Sequence, residues 1–397
     1  MSDKLMAKKE FNTASFEDVK SGKVTDVYFE RTLEILKAKG INKRVKMEFR
    51  AKKLPRHWQW GILAGIDECL RLLEGEKVSL RSLPEGSLFR AFDPVMEIEG
   101  RYNDFGLFET ALLGLLCQAS GIATMAARCK KAARERQVIS FGARRMHPSI
   151  SPMIERSAFI GGCDGVAVVK SAELLGEEPV GTMPHALILI MGDSATATKA
   201  FHEVINPAIK RVALVDTLGD EKFEALSCAE ALGESLFAVR LDTPGSRKGN
   251  FRQIFEEVRW ELNLRGYEHV KLFASGGIDE RTIAELNPVV DAYGVGTSIS
   301  SAPVIDFSLD IMEIEGVPFA KRGKMSGSKS LLKCGTCTNS MVVPYPSKKV
   351  ICDCGGIMMD QMRPFIKEGV IIGGEEKPRI IRERVLKEID KLEKEEP

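Results

Sequence analysis

Four cysteines towards the C-terminal end have the tightest chemical spacing in the chain: Cys334-Gly-Thr-Cys337, fourteen residues, then Cys352-Asp-Cys354. Two thiolates on a tight glycine turn can share one metal ion, and a second close pair completes a tetrahedron. A closed four-thiolate site leaves no open coordination position, so the spacing predicts a structural Zn²⁺. A rubredoxin-like iron site and a redox dithiol are the alternatives. The Cys-x-Cys second pair departs from the usual Cys-x-x-Cys knuckle. Between the pairs, Val343-Pro344-Tyr345-Pro346 predicts a small hairpin with too little core to fold unaided. Zinc knuckles can also bind nucleic acid, but Tyr345 is the one aromatic between the pairs, and the helix predicted over Arg382–Glu395 alternates Glu and Lys as a solvated face does.

A second set of residues is spread through the middle of the chain. Ser140-Phe141-Gly142-Ala143-Arg144-Arg145 offers two adjacent guanidiniums, which can bind a carboxylate or phosphate bidentately, beside an aromatic stacking face. The bland alternative is a core Phe with arginines reaching for solvent. Gly181-Thr182-Met183-Pro184-His185 carries a single histidine, a residue type that is more often structural than catalytic. Val215-Asp216-Thr217 and Arg240-Leu241-Asp242 place acids where Mg²⁺ or ribose hydroxyls can be held, or where a helix N-terminus needs a cap. Ser275-Gly276-Gly277 and Gly294-Val295-Gly296-Thr297 are glycine turns of the kind that cradle phosphate through bare backbone N–H groups, though tight turns alone also recruit glycine. Lys170, Asp164 and Asp193 are strand-end neighbours without an evident partner.

Such residues act together only if the fold gathers them. From Gln137 to Ser300, β-rich runs recur at Val138–Phe141, Val166–Val169, Ala186–Ile190, Val212–Val215, Phe237–Arg240, Val270–Phe273 and Ala292–Val295. Helical stretches separate most of them, as at Thr196–Val204, Glu221–Leu232, Phe251–Asn263 and Glu280–Leu286. This alternation predicts parallel strands covered on both faces. Nearly every strand candidate is followed closely by a polar residue or glycine. A barrel brings all those ends to one mouth, whereas an open sheet leaves several far from its switch point. The expected fold is therefore an irregular α/β barrel, residues 126–302. An N-terminal α+β domain precedes it, residues 1–125, with strands at Val45–Arg50 and Val95–Glu99 and a helix over Trp60–Leu73. A hairpin within 303–325 joins that domain, turning at Glu315-Gly316. A Lys-, Gly- and Ser-rich linker then leads to a four-cysteine domain with a terminal helix, residues 326–397.

Composition narrows the function classes. The 397 residues carry a formal net charge of +1, so no global field draws in nucleic acid or acidic lipid, and any bound anion needs a local site. The N-terminal stretch has no signal-peptide core, and apolar runs such as Ala186–Met191 are too short to cross a bilayer. A cytoplasmic protein with no membrane partner is expected. Nine cysteines, an odd number in a long chain, fit reduced thiols, with Cys69, Cys117, Cys129, Cys163 and Cys228 as small buried hydrophobes.

The ordered set TDVY (Thr25–Tyr28), FETALL (Phe108–Leu113), SFGARR, GGCDG (Gly161–Gly165), GTMPH, VDT, VRLD, SGGIDE and GVGTS resembles the nicotinate phosphoribosyltransferase family across roughly residues 20–325. The resemblance implies that Phe141 stacks on a pyridine ring, with Tyr28 of a neighbouring subunit on its other face, so that a homo-oligomer shares its active sites. Arg144 and Arg145 would pair with the nicotinate carboxylate, Asp164 would line the base pocket, and Thr182 and Ser275 would be substrate-binding residues. Asp216, Arg240 and Asp242 would hold ribose, pyrophosphate and Mg²⁺, and Gly276, Gly277, Gly296 and Thr297 the 5′-phosphate of phosphoribosyl pyrophosphate. His185 would accept a phosphoryl group from ATP. Many members continue the VRLD strand into Ser-Gly-Asp, where this chain has Thr243-Pro244-Gly245-Ser246-Arg247. The competing readings are transfer to nicotinamide or quinolinate, a zinc-knuckle nucleic-acid-binding protein, and a barrel aldolase with Lys170 as its Schiff-base lysine.

Overall fold

The computed structural model describes residues 11–337, 339–373 and 376–393. Residues 1–10, where the signal-peptide reading starts, and residues 394–395 of the expected last helix lie outside them. The chain forms two units: Met1–Ser120 with Val304–Lys377, and Gly121–Pro303 with Pro378–Pro397.

The second unit is built on six parallel strands: β1 (Gln137–Ser140), β2 (Gly165–Val166), β3 (Val212–Leu214), β4 (Ala238–Leu241), β5 (Lys271–Ala274) and β6 (Ala292–Val295). Their order in the sheet is β2-β1-β6-β5-β4-β3, paired in parallel throughout. First and last strands β1 and β6 are bonded at the centre, as they would be in a barrel, but the chain-order neighbours β2 and β3 are the two edges and do not pair. Strand closure of the barrel is thus absent among the described residues. The reason lies in the strand expected at Ala186–Ile190, which is a helix, His185–Met191. An apolar run of six has no period that separates strand from helix. Pro184 pre-sets the helical entry and Gly192, at φ 98°, supplies the left-handed exit. Ile188 is buried while Leu189 and Ile190 stay exposed, as one face of a helix requires. The helices at Glu221–Leu232 and Glu280–Leu286 fall as expected.

The terminal helix, Pro378–Glu393, belongs to this unit and not to a separate C-terminal domain. Ile381, Val385, Ile389 and Leu392 bury its apolar face. Asp164 clamps it. One carboxylate oxygen accepts from Arg382 Nη2 at 2.5 Å, and the other accepts from Lys130 Nζ at 2.9 Å and from Val138 N at 2.8 Å.

The first unit carries a seven-stranded sheet ordered Val317–Pro318, Phe307–Ile314, Arg44–Ala51, Met96–Arg101, Val78–Ser82, Arg363–Lys367, Val370–Ile371. The expected hairpin is present, with Glu315 and Gly316 both at positive φ. Trp60–Leu73 divides into a short strand, Gly61–Ile62, and a helix, Ile66–Leu73. The four-cysteine segment is not a third domain. Its four-stranded sheet, Ser340–Pro344, Lys329–Cys334, Ile357–Asp360 and Val350–Ile351, leads into Arg363–Lys367, which pairs with Val78–Ser82. Tyr345 lies under Arg81, 3.8 Å from guanidinium to ring centroid, so it is a structural contact and not a free stacking platform.

The helical run Tyr102–Ala133 does reach membrane-spanning length and apolarity, unlike the runs noted from the sequence. Most of that run's apolar window, 61%, is buried, with Leu112, Leu116, Ile122 and Ala126 in the core.

Replacing Asp164 with Ala leaves Lys130 and Arg382 partly buried without their carboxylate. It is expected to cost about 3 kcal/mol in chemical denaturation while leaving ligand affinity at the strand-end cavity unchanged. A loss of affinity with unchanged stability would contradict this placement.

Candidate active site

The C-terminal ends of β1, β2, β4, β5 and β6 open into one cavity of about 660 Å³. At the end of β1, Phe141 N donates to Val295 O at 2.9 Å, which ties the loop to β6. The Phe141 ring rests on Gly294, where any Cβ would come within 2.5 Å of it, and its centroid stands 5.9 Å from that of Phe273. Gly142 passes equally close to Ser300 and to Gly296 O, so a side chain is excluded there too. The turn Ala143–Arg145 then sets Arg144 and Arg145, both exposed, on the rim of the cavity.

Across the cavity, β4 supplies Arg240 and Asp242. Arg240 is 8% exposed. Its Nη1 donates to Ser275 Oγ at 3.1 Å and lies 3.6 Å from Asp242 Oδ2, and its Nη2 donates to Met183 O at 3.1 Å. Asp216, just beyond β3, accepts from Asp242 N at 2.7 Å. His185 sits between these elements at the start of its helix. Its Nδ1 is 2.9 Å from Thr217 Oγ1 and its Nε2 3.5 Å from Asp242 Oδ2. The Asp216–Thr217 loop is held by Glu224, which accepts from Leu218 N at 2.8 Å, from Thr217 N at 3.4 Å and from Gly219 N.

These charges are under tension. Burial pushes Asp216 up to about 6, helped by repulsion from Asp242 and opposed by His185, the Asp242 N–H and Arg240. Burial also lowers Arg240, against the pull of Asp242 and Asp216. Asp216 Oδ1 and Arg240 Nε are buried with no hydrogen-bond partner. Unsatisfied polar atoms of this kind at a cavity edge suit a ligand or ion that completes them.

The glycine turns form the far wall. Gly276 and Gly277 take φ of 77° and 65°, a region open to glycine with least strain. A Cβ on Gly276 would meet Asp242 Oδ1 at 2.8 Å. Ser298 Oγ donates to Ile278 O at 2.9 Å and pins the Gly296-Thr297 turn to the Gly276-Gly277 turn. Thr182 lines the cavity as well.

Most residues singled out from the sequence therefore meet here: Phe141, Arg144, Arg145, Thr182, His185, Arg240, Asp242, Ser275, Gly276, Gly277, Gly296 and Thr297 all line the cavity, with Asp216 directly behind Asp242. Asp164 does not. It precedes β2 and bonds to the start of β1, so it lies at the opposite ends of the strands. Its motif comes before a strand, where those of Phe141, Asp216, Arg240, Ser275 and Gly296 lie at or just after a strand end. Tyr28 lies in the first unit, 57% exposed. Asp193 caps the helix Ser194–Val204 by accepting from Thr196 N at 2.8 Å, and Lys170 pairs with Glu173 on a helix surface, which leaves the aldolase reading without its lysine.

Glu155 went unnoticed in the sequence. It is fully buried, lines the cavity, and accepts from Ala167 N at 3.1 Å and Val168 N at 3.0 Å, fixing the loop after β2. Burial raises its pKa and those two N–H groups oppose the rise. An isolated acid on a helix gave no signal. Glu224 had a faint one, a carboxylate in the first turn after a strand-end loop.

Residues 26–120 and 122–310 match the family profiles described as quinolinate phosphoribosyl transferase, N-terminal domain and C-terminal domain. A nicotinate phosphoribosyltransferase of Mycobacterium tuberculosis is 28% identical over 380 residues, which span 83% of each protein. The nicotinate phosphoribosyltransferase of Bacillus subtilis is 28% identical over 323 residues, 72% of this chain and 65% of that one. The crystal structure of nicotinate-nucleotide pyrophosphorylase from Pyrococcus furiosus is 53% identical, covers 97% of this chain and 99% of its own, and superposes with a TM-score of 0.95. Human nicotinic acid phosphoribosyltransferase, at 18% identity and a TM-score of 0.70 over 92% of this chain and 94% of its own, shares the fold.

Asp216 has a folded pKa above its ordinary value, so the folded state holds a proton that the unfolded chain releases. Stability contributed by that proton is present below about pH 4 and lost as pH rises towards 6. Asp216→Asn is expected to be more stable than wild type at pH 7 by about 1–2 kcal/mol, allowing for water at the cavity mouth. Denaturation curves at pH 4 and pH 7 check this, because the difference should vanish at the lower pH.

Proposed function

The chain belongs to the nicotinate phosphoribosyltransferase family, and on that premise we propose how its strand-end cavity joins nicotinate to 5-phosphoribosyl-1-pyrophosphate in NAD biosynthesis. The observation that carries the reading is the juxtaposition, in one cavity, of Phe141 with the Arg144-Arg145 rim on one side and the Arg240–Asp242 pair with two glycine turns on the other. A flat pyridine acid fits the first half and a sugar phosphate the second. Quinolinate carries a second carboxylate. Among the cavity-lining residues the cations are Arg144, Arg145 and Arg240, and Arg240 is already engaged by Asp242 and Ser275. That supply suits a monocarboxylate.

Phosphoribosyl transfer asks little covalent help of the protein. The bond from ribose C1 to pyrophosphate breaks, an oxocarbenium-like centre develops, and the pyridine nitrogen bonds to C1. Phe141 and Arg144 fix the ring against rotation, so the nitrogen is in place when that centre forms. Arg240 stabilises the departing pyrophosphate charge. Asp242 and Asp216 suit the ribose hydroxyls or Mg²⁺, since Asp216 Oδ1 lacks a partner. Mg²⁺, when bound, would neutralise pyrophosphate charge. His185 has one nitrogen beside Thr217 and the other facing Asp242, so whichever is unprotonated offers a lone pair to the γ-phosphoryl of ATP. Tyr28, exposed on the first unit, is available to a second subunit of a homo-oligomer.

The four cysteines fit a structural Zn²⁺. Their sulfurs all lie within 4.8 Å of one another, with Cys334–Cys354 at 3.5 Å and Cys337–Cys352 at 3.6 Å. Four ligands at the usual Zn–S distance stand roughly 3.8 Å apart. Thr336 N and Cys337 N donate to Cys334 Sγ at 3.3 and 3.4 Å, stabilising a thiolate there.

A turnover assay with phosphoribosyl pyrophosphate, offering nicotinate, nicotinamide or quinolinate with and without ATP, is expected to show product with nicotinate alone and acceleration by ATP. His185→Ala should abolish ATP hydrolysis and leave slow, ATP-independent transfer. Retention of full ATP hydrolysis would remove the role given to His185. Elemental analysis should find about one Zn²⁺ per chain. Chelation should then lower the melting temperature of the protein with no change in the KM for nicotinate.

A further inference from the structure

The loop after Asp242 holds a cation with no assignment so far. Pro244 to Arg247 are exposed, as are Gly249 and Asn250, whereas Lys248 between them turns inward. Its Nζ stands 4.0 Å from the centroid of the buried Phe251 ring and donates to Gly276 O. It also lies 4.0 Å from where a Cβ on Gly277 would sit. The loop is anchored on both sides of Lys248. Thr243 Oγ1 donates to Glu221 Oε1 at 2.7 Å, Arg247 N donates to Pro244 O at 2.9 Å, and Asn250 caps the helix Phe251–Leu264.

The turn that this ammonium touches has no charge of its own. Ser275, Gly276, Gly277, Gly296 and Thr297 offer neutral donors only, and the seven-residue helix that follows the turn is capped by its own Asp279, which accepts from Thr282 N at 2.8 Å. Arg240, which donates to Ser275 of the turn, is committed to Asp242, Ser275 and Met183. A phosphate monoester near its dianionic state needs a mobile positive charge that can approach one of its oxygens. We propose that Lys248 is that charge: a binding residue for the phosphate monoester of the sugar substrate, whose Nζ moves from Gly276 O onto a phosphoryl oxygen when the Gly276-Gly277 turn is filled. Parked on the carbonyl and over the Phe251 ring, the ammonium is satisfied without ligand. Burial lowers the Lys248 pKa, partly offset by Asp242, so phosphate affinity should decline on the alkaline side earlier than for a solvated lysine.

This inference rests on the sugar-phosphate reading of the turn given above. Inorganic phosphate titrated into the full chain by calorimetry reads it without any turnover. Lys248→Met, which keeps the apolar stem, is expected to weaken phosphate binding by about 10- to 100-fold. The KM for phosphoribosyl pyrophosphate should rise by a similar factor, with the KM for nicotinate unchanged, and Lys248→Arg should restore most of the affinity. Wild-type phosphate affinity in Lys248→Met overturns the proposal. So does an equal rise in both KM values that Lys248→Arg fails to rescue, since that pattern marks a loop-folding role. If the wild-type protein transfers nothing to nicotinate yet loses phosphate affinity in Lys248→Met, the activity is wrong and the phosphate role of Lys248 stands.

Discussion

The site depends on burying Arg240 beside two carboxylates. A guanidinium 8% exposed is costly unless paired, and its acceptors come from separate parts of the chain: Asp242 on the same strand, Ser275 after β5 and Met183 ahead of the His185 helix. Asp216 joins through the Asp242 N–H. The charge cluster thus holds the ends of β3, β4 and β5 in register with one another and with His185. It is not fully satisfied, since Arg240 Nε and Asp216 Oδ1 have no partner. A pre-organised but incomplete electrostatic site is what stabilises charge that appears only when a substrate reacts.

Close backbone approach is the complementary device on the other side of the cavity. Gly294 under Phe141, Gly142 against Gly296 and Ser300, and Gly276 against Asp242 each leave no room for a Cβ. Glycine at these positions serves packing between neighbouring strand ends as much as any ligand. The aromatic ring is fixed by its contact with the sheet, which on the proposed reading would spare part of the ordering cost of binding a flat ligand.

The four-cysteine segment has a different physical task. Next to the cysteines, Leu332, Cys352 and Met358 form a small buried cluster with Cys334 and Cys337 packed against it. The segment is tied to the first unit by the Arg81–Tyr345 stack and by Arg363–Lys367 on the edge of Val78–Ser82. A tetrahedral metal, on the reading proposed above, would supply what so small a core lacks.

Much of the site could be read from the order of residue types. A strand end followed by Arg, Asp, Ser or Gly marks a rim position, because parallel strands direct their C-terminal ends to one side. That logic located Phe141, Arg144, Asp242 and the glycine turns, whereas His185, which stands ahead of the strand expected at Ala186–Ile190, was marked by the family resemblance. It failed for Asp164, which stands before its strand and clamps the last helix with Arg382 and Lys130. It failed for Ala186–Ile190, whose apolar run is indifferent between strand and helix until Pro184 and Gly192 close it as a helix, leaving β2 and β3 as unpaired edges. It was silent on Glu155 and Lys248. The first is an acid recognisable only by the two backbone N–H groups it meets across the chain, the second a lysine in a loop whose neighbours all face water. Local order determined which chemistry the chain carries and on which strand ends it sits, since spacing and periodicity are properties of neighbours in sequence. Which side chains turn inward, which charges meet and where the sheet stops were decided by tertiary structure, because burial and pairing depend on residues far apart along the chain.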